Sequence, residues 1–339
     1  MNPSMIARII EEYKELQPFS GSVLIGKQDD PYRQSYGYAD RSNERPNQVS
    51  TKFGIASGCK MFTAIAICQL VQAGKLSFDS RLSDCVDALF PQFDPNVTVH
   101  HLLTHSSGIP DYFDEEVMDD FELLWKAKPM YGITSPGDFL PFFQDKPMKF
   151  GPGDRFAYSN AGYILLGLII EKITGVAFST YIETNIFQRC GMSDSGYYRM
   201  DQLPPDTAFG YIDEAESWRT NIYAVPIKGG PDGGAYTTVE DLHKFWNALF
   251  AHKLLNPDMT DVLLTPHIQE SEHIHYGYGV WMMIIDDQLF KYFVMGSDPG
   301  VSMQSSVYHD GLHAHIIGNT HADTGLLAGK LDEMIMQGI

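Results

Sequence analysis

Apolar and polar positions recur at different periods in different parts of the chain. The opening MNPSMIARIIEEYKEL is an amphipathic helix pattern carrying Glu11, Glu12 and Glu15. Gly21–Gly26 and Tyr32–Tyr38 then read as two strands of a hairpin around Gln28-Asp29-Asp30. A polar loop ending at Pro46 leads to the strand-like Thr51–Ala56. From Met61 to Val71 the sequence is apolar almost all round, which marks a helix buried in an interior, and Gly74 supplies a left-handed stop. Between Leu82 and Tyr211 the spacing predicts helices over Val99–His105, Val117–Ala127, Gly137–Phe143, Ala161–Thr174 and Phe178–Phe187. Beyond Asp213 strand signals return at Gly277–Ile285, Leu289–Met295, Ser302–His309 and His313–Gly318, spaced as in an antiparallel meander. A helix over Thr324–Met336 closes the pattern.

Strands at both ends with helices between imply an α+β fold: one sheet built from both termini, interrupted by a helical region. The expected division is a sandwich domain of residues 1–80 and 215–339 and an all-helical insert of residues 81–214. The length of 339 residues, 44% apolar content and 20% charge are those of a globular protein, and no run of 18 apolar residues exists to span a membrane. The N-terminus lacks the basic start, apolar block and small-residue cleavage site of a secretory signal, so the expected location is the cytoplasm unless a signal lies outside this sequence. Four cysteines (Cys59, Cys68, Cys85, Cys190) with no C-x-x-C spacing make no disulfide framework and agree with a reducing compartment. A net charge of −19 argues against nucleic acid and anionic membrane surfaces as partners.

Candidate chemistry centres on Ser57-Gly58-Cys59-Lys60, at the start of the apolar helix. Three residues apart on a helix, Ser57 and Lys60 share a face. A serine hydroxyl becomes a nucleophile when a neighbour takes its proton, and burying a lysine costs several kcal/mol unless its chemistry is used. A serine cap and a snorkelling lysine would explain the same residues structurally. Tyr158-Ser159-Asn160 precedes another apolar helix after the turn Gly151-Pro152-Gly153-Asp154; it caps that helix and could also place Tyr158 as an acid or base beside Lys60. The glycine-rich Lys228–Gly234 fits no phosphate-loop spacing. Among the 12 histidines, His101/His105, His273/His275 and His313/His315 are spaced as ligand pairs, but no third ligand lies at a telling distance, and no metal or cofactor is expected. The acidic segment Asp111–Glu122 reads as a solvated helix face or loop.

Taken together these motifs resemble the serine β-lactamase and penicillin-binding-protein superfamily, in the branch holding class C β-lactamases, D-alanyl-D-alanine carboxypeptidases, D-aminopeptidases and β-lactamase-fold esterases. The resemblance rests on Gly37-Tyr38-Ala39-Asp40, on Phe53 through Ser57 to Lys60 and Phe62-Thr63-Ala64, and on Leu102 through Ile109. Pro152-Gly153, Tyr158 through Tyr163, Leu165-Leu166-Gly167 and Gly233-Gly234 extend it over residues 20 to 320. It implies an α/β/α sandwich with an antiparallel sheet and a helical insert, the site lying between them. It implies Ser57 as acylated nucleophile, Lys60 as its activating partner, Tyr158 as second base or acid, and Asn160 as an orienting donor. Gly296 and the backbone N–H of Ser297, with the N–H of Ser57, would form an oxyanion hole.

Two positions depart from the family pattern. Val294 stands where a Lys or His of the third motif belongs, so that wall of the site is expected to be apolar, and Cys59 replaces a hydroxyl residue. The reading is a serine hydrolase acting through an acyl-enzyme on Ser57, on an ester or amide of a small molecule or peptide. Its alternatives are a β-lactamase or D,D-peptidase with an altered third motif and a non-catalytic ligand-binding relative.

Overall fold

The computed structural model describes residues 2–27 and 30–338. Its central feature is an eight-stranded antiparallel sheet. In chain order the strands are β1 (Gly21–Gly26), β2 (Tyr32–Tyr36), β3 (Ile268–Gln269), β4 (Ile274–Tyr276), β5 (Trp281–Ile285), β6 (Gln288–Asp298), β7 (Val301–Tyr308) and β8 (His313–Gly318). They lie side by side as β2-β1-β8-β7-β6-β5-β4-β3. The pairing of β1 with β8, Gly21 opposite Gly318 and Gly26 opposite His313, joins the two ends of the chain.

Alternation along the strands sends side chains to opposite faces, and each face carries its own core. Val23, Ile25, Ala314 and Ile316 pack with α1 (Pro3–Leu16) and the C-terminal helix Thr324–Met336. Leu24, Met303, Val307 and Ile317 pack on the other face, with α2 (Lys60–Gln72), α3 (Asn160–Thr174) and α4 (Val239–Phe250). This is the α/β/α arrangement. Helix α2 is buried on every side, as its sequence requires, and Phe62 sits edge-on to Phe187 and Phe245 at 5.0 and 4.9 Å. Gly74 and Gly175 take left-handed φ values of 68° and 72° just past α2 and α3.

Several expected elements differ locally. The turn proposed around Gln28-Asp29-Asp30 falls on Gln28 and Asp29, outside the described residues. The strand from Tyr32 stops at Tyr36, because Gly37 turns left-handed and Tyr38–Asp40 pairs separately with Arg45–Pro46. Gly277–Ile285 is shortened to β5, since Gly279 (φ 73°) makes a turn between β4 and β5. Helix Val117–Ala127 survives only as Leu123–Ala127. The Asp114 and Asp120 carboxylates accept from the N–H groups of Glu116 and Glu122, offering the backbone a turn in place of a helix. Gly137–Phe143 is a 3₁₀ helix, Pro136–Phe142, with Pro141 inside it.

Candidate active site

The site is built where the loop before α2 meets the start of α3. The residues Ala56–Cys59 form a 3₁₀ turn, and Ala56 is held at φ 43°, a left-handed conformation that costs a non-glycine residue about 1–3 kcal/mol. That strain turns the chain so that Ser57 opens on the cavity while Lys60 points beneath it. Gly296 of β6 lies against this turn. A Cβ at Gly296 would stand 2.3 Å from the Ile55 carbonyl oxygen, 2.7 Å from the Gly58 nitrogen and 2.8 Å from the Ser57 nitrogen. Only glycine permits that approach.

Lys60 is 2% exposed, yet its ammonium end is fully partnered. Nζ lies 2.9 Å from Ser57 Oγ, 2.7 Å from Asn160 Oδ1 and 2.6 Å from the Asp232 carbonyl oxygen. The two carbonyls can only accept, so they fix two N–H directions. The third direction is aimed at the Ser57 hydroxyl, which can either accept a proton or give one up. The nitrogen also lies over the Tyr158 and Tyr163 rings, 4.9 and 5.6 Å from their centroids.

Asn160 owes its position to the N-terminus of α3. Ser159 accepts from Gly162 N at 3.1 Å, and the buried Asp111 carboxylate accepts from the N–H groups of Asn160 and Ala161 at 2.6 and 3.1 Å. Burial pushes the Asp111 carboxyl up to about 7 despite these donors. Tyr158 is held from behind by His105. The Ser159 N–H donates to His105 Nδ1 at 3.0 Å, so Nε2 carries the ring proton and faces the Tyr276 hydroxyl at 3.1 Å. The imidazole packs on the Tyr158 ring at 4.3 Å, and burial together with Lys60 keeps it neutral by lowering its pKa well below the ordinary value.

Burial and then the Glu115 carboxylate push the Tyr158 phenol well above its ordinary pKa, with only the Ser57 hydroxyl pulling it down. Lys60 sits over the ring face and is not what sets this shift.

Ser57 lines a cavity of about 970 Å³ with Asn160, Ser297 and the Asp232-Gly233-Gly234 corner. Tyr158 lines an adjoining cleft of about 690 Å³, and Glu115 belongs to both. Seven carboxylates line the main cavity (Glu115, Asp119, Asp120, Glu122, Asp213, Asp232, Asp298), with His321 and no lysine or arginine among the described lining residues. Burial, then Asp232, raises Asp298 to about 7 while Lys60 opposes the shift. Burial likewise raises Asp232, whose carboxylate accepts from the Tyr112 hydroxyl.

Four features singled out in the sequence find their places here. The acidic segment takes the loop form of the two expected, and its Glu115, Asp119, Asp120 and Glu122 line the cavity. Val294 is buried in the core around α2 and is not a wall of the cavity; the neighbouring lining group is Asp298. The Lys228–Gly234 loop folds onto α2 and presents carbonyls, from Pro231 to Thr63 Oγ1 at 2.6 Å and from Asp232 to Lys60. The histidine pair is divided as well: His101 joins the Thr98 capping box, while His105 turns inward at φ 55°.

This sheet-and-helix architecture is that of the penicillin-binding-protein-like fold. A penicillin-binding protein from Bacillus halodurans superposes with a TM-score of 0.92 at 52% identity, covering 97% of this chain and 99% of that one. Penicillin-binding protein 4* of Bacillus subtilis (strain 168) is 31% identical over 295 residues, 81% of this chain, but the match spans only 62% of that protein's length. Esterase EstB of Burkholderia gladioli is 32% identical over 295 residues, covering 76% of this chain and 72% of the esterase. The beta-lactamase family profile matches residues 6–326, and the chain belongs to that family. Among the described residues no single helix is long and apolar enough to cross a membrane.

Proposed function

We propose that the protein is a serine hydrolase that forms an acyl-enzyme on Ser57 and acts on esters or amides carrying a neutral or cationic group. The observation that carries this reading is Lys60 Nζ, 2.9 Å from Ser57 Oγ with its other two partners fixed. In its neutral form Lys60 donates to Asn160 Oδ1 and the Asp232 carbonyl and directs its lone pair at the Ser57 proton. Ser57 Oγ then bonds to the substrate carbonyl carbon as its proton passes to Lys60. The N–H groups of Ser57 and Ser297 receive the oxyanion, with Gly296 allowing the close approach. Tyr158, protonated, hands a proton to the leaving group and is resupplied from Lys60. Water cleaves the acyl bond by the reverse sequence.

Ser57 and Lys60 come from the sandwich region (1–80 and 215–339) and Tyr158 and Asn160 from the helical region (81–214), so we place catalysis at their seam. The four cysteines stand free, which supports work in a reducing compartment such as the cytoplasm. The acidic lining opposes the carboxylate of penicillins and of D-alanyl-D-alanine ends, and it favours an ammonium.

The experiment is hydrolysis of matched aryl esters bearing an amine, no charge or a carboxylate, by the wild type and by Ser57→Ala. Turnover abolished in Ser57→Ala, with the amine ester ahead of the carboxylate ester, supports the proposal. Faster turnover of the carboxylate ester would overturn the substrate assignment, and undiminished turnover by Ser57→Ala would overturn the mechanism.

A further inference from the structure

Away from the Ser57 cavity, β8 places His313 and His315 two residues apart, so both leave the same face of the sheet. Helix α4 crosses that face and brings His243 down onto them. The third residue that the sequence spacing lacks is thus supplied by a helix some 70 residues earlier in the chain. Ligand-capable nitrogens of the three rings all lie within 4.8 Å of one another. His313 Nδ1 is 3.3 Å from His315 Nε2. Two nitrogens held about 2.0–2.1 Å from a tetrahedral ion stand about 3.3–3.4 Å apart.

The three rings are 8%, 4% and 0% exposed for His243, His313 and His315, and His243 Nδ1 is buried with no hydrogen-bond partner. A bare buried ring nitrogen is unfavourable unless something is bound to it. His315 is anchored from behind: its Nδ1 lies 2.8 Å from Ser305 Oγ, which accepts from Trp246 Nε1 at 2.8 Å. In the tautomer whose Nδ1–H donates to Ser305, Nε2 turns its lone pair toward His313 Nδ1, a contact that a bound ion would replace, and this is the arrangement by which metal-binding histidines are oriented. Burial lowers the pKa of all three rings, that of His313 to about 4. The partly exposed Arg33–Glu240 ion pair stands beside His243.

We infer that His243, His313 and His315 form a metal site, separate from the Ser57 cavity, that binds one zinc ion through three imidazole nitrogens. Neutral nitrogen donors suit zinc and exclude calcium and magnesium, which require oxygen. The ion would tie α4 to β8 beside β1, where the two ends of the chain meet in the sheet.

The test uses the full chain stripped with a chelator and titrated with zinc alone by calorimetry, with cobalt absorption reporting the geometry. The wild type should bind one equivalent and melt at a higher temperature with zinc. His243→Gln and His315→Gln should bind at least about tenfold more weakly and lose that thermal gain. Unchanged ester hydrolysis by His243→Gln, which touches nothing in the Ser57 site, confirms that the variant is folded; that helix variant decides the matter should His315→Gln not fold. Absence of zinc binding to the wild type, or equal binding by folded His243→Gln, would overturn the inference.

Discussion

Replacing Lys60 by Met separates the two things this side chain does. The four-atom stem is kept, so α2 loses no packing, while Asn160 Oδ1 and the Asp232 carbonyl each lose a donor at 2.7 and 2.6 Å. Hydrogen bonds to a charged group are worth about 1.5–3 kcal/mol each, which the removal of a buried ammonium partly offsets. The net should be a loss of about 1–3 kcal/mol, a fall of about 2–6 °C in melting temperature for a chain of this size. The chemical loss is larger. Without a proton acceptor beside Ser57, acylation should slow by about 10²–10⁴, or about 2.7–5.4 kcal/mol on the barrier. The assay is the second-order rate of labelling by a fluorophosphonate, read by intact mass at a temperature where the variant is folded. Labelling of folded Lys60→Met at the wild-type rate would refute the role given to Lys60.

Three further outcomes follow from the same geometry. Tyr158→Phe keeps the ring packing against His105 and Trp281 but removes the proton donor. Its kcat should fall more for alkyl esters, which need a protonated leaving group, than for aryl esters; equal losses would remove Tyr158 from that step. Gly296→Ala must push β6 away from the Ser57 turn and should lower kcat by about 10²–10³ while costing about 1–3 kcal/mol of stability, measured by hydrolysis and melting. Asp298 has a raised folded-state pKa, so its favourable contribution is present below the ordinary carboxylate value and is lost as pH rises through about 7. The melting temperature of Asp298→Asn should therefore decline less than that of the wild type between about pH 4 and 7, the window spanned by that shift; parallel declines would show that Asp298 ionises normally.

The sheet, α2 and the Ser57–Lys60 pair were legible in the sequence because each is coded locally, by period, by a glycine stop or by spacing along one helix. What holds the site together is coded elsewhere. The Asp232 oxygen that fixes Lys60 belongs to the main chain, so any residue could supply it and no side chain announces it. Asp111 looked like one member of an acidic run, and only the folded chain shows that it turns inward to cap α3 while its neighbours face the cavity. His105 was visible as a histidine four residues after His101, a spacing that suggests a shared helix face. The helix ends at Leu103, and the left-handed turn at His105 sends the ring beneath Tyr158. Val294 misled for a related reason: its place in the motif was clear, but its burial around α2 was not.

The central claim is that Ser57 is a nucleophile activated where it stands. Intact mass of the full chain after exposure to a fluorophosphonate, followed by peptide mapping, tests it most directly. The account predicts a single adduct, on the Ser57 peptide, absent from Ser57→Ala and strongly slowed in Lys60→Met. A folded wild-type protein that takes up no label, or carries it on another residue, would contradict it.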